Sequence, residues 1–274
     1  MTRRDAAAAA LLTAMAGRDD ADPATATMPG QAVYDYTARL KDGGLRGARI
    51  GVLTGPLNQQ PGVAPAMQHA LAVLRDARAV VVPVQLPTQD QWQAAEQVVL
   101  RYEFKAGLAR YLSTHQAPLK DLDAIIAYNR NHADKELVLF GQDLMEAAAQ
   151  AGALGAPDYI AARTEAKRLA GPEGIDAVLK ADRLDALVAP TTGAAWPLRS
   201  GEADAFPGGS YGAAAVAGYP SISVPMAHVN GLPLGLLFMG TAWSEPRLIE
   251  LAYDYEQRTR ARKPPTFKTE ALIR

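Results

Sequence analysis

The chain has 274 residues, 49% of them hydrophobic, enough for a sizeable buried core and too many for a disordered polymer. Its 28 basic and 29 acidic residues leave a formal net charge of -1, which favours no nucleic acid, acidic membrane or polyanionic substrate and suits a small neutral or peptide-like ligand. The absence of cysteine excludes disulfides, thiolate metal sites and a cysteine nucleophile, so any covalent chemistry falls to an oxygen.

Alanine and leucine spacing over residues 4–15 predicts a helix, with Gly17 as a left-handed cap and Pro23 beyond it. A loop with a short helical piece near 34–40 follows. Residues 48–53 form an aliphatic run, 63–78 a helical pattern and 79–84 a second apolar run, together a βαβ unit. Helices are then expected over 90–111, 121–129, 137–150 and 157–180, as a cover over a sheet and not as a separate bundle. Residues 184–189 return to strand. Residues 221–224 and 234–239 read as two strands joined through Asn230-Gly231, a dipeptide that tolerates positive φ. An amphipathic helix over 245–262 closes the pattern. The expected class is α/β, a mixed β-sheet covered by helices, without internal repeats. No run of about 18 apolar residues is available to span a bilayer, and the alanine-rich start lacks a signal-peptide cleavage pattern, so the compartment defaults to cytoplasm.

Several motifs are weak on inspection. Gly208-Gly209-Ser210-Tyr211-Gly212 matches G-x-S-x-G, but a polar loop with Phe206-Pro207 precedes it, and no acid lies between Ser210 and His228. A glycine-rich loop at a helix start is the better reading. His69, His115, His132 and His228 form no i, i+3 or i, i+4 pair, so no metal site is expected. Asp20-Ala21-Asp22 lacks the glycine and closing glutamate of a calcium loop, and no G-x-G-x-x-G follows the first strand. No cofactor is expected either.

Residues 184–193 with Pro190-Thr191-Thr192-Gly193, residues 211–217, the run Gly218-Tyr219-Pro220-Ser221-Ile222-Ser223-Val224-Pro225-Met226 and residues 231–240 resemble, in order and spacing, the C-terminal block of the amidase signature family. Residues 1–7, Leu11-Leu12, Met15-Ala16-Gly17 and Asp20-Ala21-Asp22-Pro23 are similar to a mid-chain helix and cap. Residues 46–52, 102–108 and 168–174 resemble the bacterial peptide amidases, which remove the C-terminal amide of peptides. The resemblance implies that residues 1–274 are the C-terminal portion of a single amidase signature domain. It also implies that the catalytic serine, cis-serine and lysine lie upstream of Met1, so the chain alone is expected to be inactive and has no catalytic residue to nominate. The implied partners are a peptide amide or other small carboxamide and the missing N-terminal half. Two alternatives stand beside this: one subunit of a split amidase, or a non-catalytic peptide-binding module.

Ligands of helix-covered sheets tend to sit outside the carboxyl ends of strands. After the 184–189 strand, Thr191, Thr192 and Trp196 supply hydroxyls and an aromatic ring, and Ser210 with Tyr211 opens the next helix toward the same region. These five are the candidate substrate-binding residues. The competing reading has the threonines satisfying loop backbone and Trp196 only packing.

Overall fold

The computed structural model describes residues 3–29, 35–197 and 205–265. Five strands form one mixed sheet: β1 (Arg49–Leu53), β2 (Val80–Val84), β3 (Ala186–Pro190), β4 (Ser221–Val229) and β5 (Leu232–Met239). Their spatial order is β2-β1-β3-β5-β4, with β1 parallel to β2 and β3, and β5 antiparallel to β3 and β4. The central strand β3 is buried throughout, which is why it reads as an unbroken apolar run and not an alternating one. The prolines Pro83 and Pro225 lie in β2 and β4, the outer strands, where a missing N–H interrupts no inner ladder. Asn230 and Gly231 take φ of 50° and 81° and turn β4 tightly into β5.

Ten helices flank or extend this sheet among the described residues: α1 (Arg3–Met15), α2 (Val63–Asp76), α3 (Gln93–Thr114), α4 (Leu122–Asn131), α5 (Ala133–Glu136), α6 (Asp143–Ala149), α7 (Pro157–Ala170), α8 (Ala177–Ala181), α9 (Gly212–Ala217) and α10 (Glu245–Thr259). Period-two alternation along the strands sends side chains to two separate cores. On one face Ile50, Val52, Val188, Leu236 and Phe238 meet Met67, Ala70 and Leu74 of α2 and Leu248, Leu251 and Tyr255 of α10. On the other, Leu187, Leu237 and Met239 meet Leu169, Ile175, Val178, Leu179, Ala213 and Ala214. Helix α2 reaches its face because Val63, Ala66, Met67, Ala70 and Leu74 share one stripe at helical spacing.

Asp254 of α10 is buried, yet its carboxylate is satisfied: it accepts from the Leu45 amide at 3.0 Å and from Arg258 Nε at 2.9 Å. The chain before β1 is thereby tied to the last helix.

The structure amends several expected elements. The helix expected over 137–150 is confined to α6, and residues 137–142 lie outside any helix. Gly141 is a poor helix former, and the Gln142 side chain instead bonds Asn129 Nδ2 and the Ile126 carbonyl. The helix expected over 157–180 passes through a π-helical turn, Gly171–Asp176, where Pro172 has no N–H to donate. The last helix stops at Thr259 because Arg260 is left-handed at φ 45°. Gly17 has positive φ as expected, but at 156° it is far from a left-handed helical cap. The cover also has two layers: α7, α8 and α9 lie on the sheet, whereas α3 packs on α7 and α6.

Candidate functional site

A cleft of about 690 Å³ opens at the carboxyl ends of the parallel strands β1 and β2. Three chain segments wall it, and each is held by identifiable bonds. After β1 the chain turns sharply, with Asn58 Nδ2 donating to the Leu53 carbonyl at 2.7 Å and the Thr54 amide donating to the Val84 carbonyl at 2.9 Å. After β2 the chain runs over Gln85 and Leu86, and Thr88 Oγ1 donates to the Leu169 carbonyl at 2.6 Å, anchoring this loop to α7. Asp90 then takes φ 64°, which sets Trp92, Gln93 and Glu96 along the cleft. The third wall is Phe206 to Ser210 with Gly212 and Ala213. Gln60 Nε2 ties the first wall to the third by donating to the Pro207 carbonyl at 2.8 Å.

Ser210 is the expected residue that lines the cleft directly. Its amide donates to the Thr191 carbonyl at 3.0 Å, and Thr192 pairs with Gly209, so the loop after β3 backs the third wall. Tyr211, half exposed, lies against Gly209, where a Cβ would collide with its ring. Trp196 packs on Phe206 with ring centroids 5.7 Å apart, one layer behind the cleft. Thr191 belongs to the sheet instead: its amide donates to the Gly235 carbonyl at 2.8 Å, and its hydroxyl lies 2.6 Å from Ser223 Oγ. The Thr192 hydroxyl donates to the Gly193 carbonyl at 3.1 Å, a local loop bond. One of the five residues therefore faces the cleft, three buttress it, and one joins it to the sheet.

Ser210 does not sit on a nucleophile elbow. An isolated bridge and loop precede it in place of a strand, and the helix that follows has six residues. His228 lies at the turn end of the β4–β5 hairpin, opposite Pro233.

The first two walls were not among the expected site residues. Their signal was present as a polar run, Gln89-Asp90-Gln91-Trp92-Gln93 and then Glu96, opening a helix just after a strand. Burial raises the carboxyl pKa of Glu96 above its ordinary value. Among the described residues the lining includes Asn58, Gln60, Gln85, Gln89 and Gln93 but no lysine, arginine or histidine. Amide side chains offer both donors and acceptors, as a ligand with peptide-like groups requires. No helix among the described residues is long and apolar enough to cross a membrane.

Known proteins share this architecture and sequence. Native peptide amidase from Stenotrophomonas maltophilia is 64% identical, with a TM-score of 0.92 over 97% of this chain and 54% of its own. An amidase family protein from Bacillus anthracis is 31% identical, with a TM-score of 0.76 over 96% of this chain and 48% of its own. A relative named "Probable amidase" from Arabidopsis thaliana is 31% identical over 94% of this chain and 47% of that protein. The chain thus spans about half the length of the relatives it matches. Residues 1–249 match the family model described as Amidase. Since that match takes in well over half of the sequence, the chain belongs to the amidase family.

Proposed function

We propose that this chain is the C-terminal part of a peptide-amidase-like hydrolase and supplies the sheet, the helical cover and one wall of the substrate cleft. The substrate class is a carboxamide, the C-terminal amide of a peptide in particular. The observation that carries this reading is the likeness to peptide amidase over 97% of the chain at 64% identity.

Amide hydrolysis needs an activated nucleophile, a base and donors for the tetrahedral oxyanion. The cleft offers the Ser210 hydroxyl and several carboxamides, but among the described residues its lining carries no histidine or lysine to serve as base. That composition suits binding better than bond breaking. The serine, cis-serine and lysine of the family's chemistry then belong to the remainder of the family chain; Ser210 faces the peptide, Thr192, Trp196 and Tyr211 buttress its wall, and Thr191 ties that wall to the sheet.

The test is ammonia release from amidated peptides, measured on the 274-residue chain alone and after the N-terminal half of a peptide amidase is supplied in trans or fused. Turnover is expected only in the second case. In the restored enzyme, Trp196→Ala should lower the specificity constant by roughly ten- to a hundredfold, because an aromatic that holds a substrate wall contributes about 1–3 kcal/mol to transition-state binding. Turnover by the lone chain that disappears in Ser210→Ala would place the chemistry here and defeat the proposal.

A further inference from the structure

The cleft has a one-sided charge. Among the described residues two carboxylates line it, Asp90 and Glu96, and no basic side chain does. They differ in how they are satisfied. Asp90 Oδ1 accepts from Gln89 Nε2 at 2.6 Å and from Gln93 Nε2 at 3.2 Å, so neighbouring amides already solvate it. Glu96 has no hydrogen-bond or ion-pair partner among the described residues, and burial raises its pKa. It stands on the first turn of α3, just after Gln93, and lines the same cleft as the third wall.

A carboxylate that loses water without gaining a donor is a poor arrangement for an empty protein and a good one for a ligand that brings the donor. We propose that Glu96, standing unpaired in a cleft with no positive side chain among the described residues, is a specificity-determining residue that selects peptide ligands bearing a cationic group, such as a lysine or arginine side chain. This rests on the reading of the cleft as a peptide-amide site and adds the charge class of the peptide it takes. The neutral amides around the cleft hold peptide groups without regard to charge; Glu96 supplies the discrimination. A negative residue on the ligand meets two carboxylates and, among the described residues, no compensating cation.

The experiment measures binding by calorimetry to the 274-residue chain, using acetylated tripeptide amides that differ only in lysine, norleucine or glutamate, with each position varied in turn. At one position lysine should bind about tenfold more tightly than norleucine, as a partly desolvated ion pair allows, with glutamate weakest. Glu96→Gln should abolish that difference. A circular-dichroism melt checks that the variant is folded. Equal affinity for all three side chains would overturn the charge selection while leaving the peptide-site reading intact. A lysine preference that persists in Glu96→Gln would remove Glu96 from the role. No binding of any peptide would sink both readings together.

Discussion

The sheet layer and the outer helical layer follow different rules. Around β1, β3 and β5, nearly every apolar side chain is enclosed on both faces of the sheet, with Ile50, Leu187, Leu236 and Phe238 fully buried. In α3 to α6 the opposite holds. None of the 22 residues of α3 is buried, while Leu139 and Phe140 are 73% and 79% exposed. The small cluster of Leu122, Ile126 and Ala148 is the local core of this layer. Stability therefore resides in the sheet and its direct cover. The outer layer is held through α7 and presents apolar surface that a partner or further chain is free to cover.

The sharpest way to break that contrast is to cut a phenylalanine in each layer. Phe238→Ala removes a ring that packs edge-on to Tyr255 with centroids 6.0 Å apart, and should cost about 3–5 kcal/mol in denaturant unfolding. A loss comparable to that of a surface substitution would mean the sheet core relaxes around the cavity.

Next in size is Tyr219→Phe. Tyr219 donates to Asp176 Oδ2 at 2.6 Å, while Oδ1 of the same carboxylate has no partner among the described residues. Burial and that carboxylate together push the Tyr219 hydroxyl up to about 12, so it remains a donor throughout the neutral range. Losing it should cost about 1–3 kcal/mol, because a half-satisfied acid becomes unsatisfied. An unchanged melting temperature would show that water replaces the hydroxyl.

Glu245→Gln should act in the opposite direction and more weakly. Burial raises the Glu245 pKa in the folded state, outweighing the favourable end of α10 at which it stands. Its contribution to stability is therefore fully present below the unfolded-state value and is lost as pH rises through the raised folded value. The variant should melt slightly higher than the parent at neutral pH, and the two curves should converge in acid. A difference independent of pH would assign the effect to packing.

The smallest change in stability is expected for Phe140→Ser in the outer layer, within about 0.5 kcal/mol of the parent. Its effect should show in association, as reduced concentration-dependent light scattering. A large destabilisation would mean that this exposed loop is covered in solution.

Local chemistry made much of the architecture legible. The apolar runs at β1, β2 and β3, the Asn230-Gly231 turn and the apolar stripe of α2 announce themselves because strand alternation, turn dihedrals and helical spacing act over a few neighbouring residues. Helix interruptions were harder to see. Gly171-Pro172 and the Gln142 side chain act through bonds whose partners cannot be read from spacing alone.

The candidate site divides in the same way. Ser210 was legible because a glycine-rich loop at a helix start is a local pattern, and the loop after β3 because strand ends are where ligands collect. Gln60, Glu96 and Pro207 share one cleft only because the parallel pairing of β1 with β2 and β3 brings residues 54–60, 85–96 and 206–213 to one edge of the sheet. Residue order alone was enough for the family, most of the strands and helices and the types of polar group available. Which of those groups face one another was set in three dimensions, since strand order and the folding of α3 over α7 depend on packing between distant segments. The same packing leaves Glu96 without a partner among the described residues, whereas Asp90 draws its two donors from Gln89 and Gln93 in its own stretch of chain.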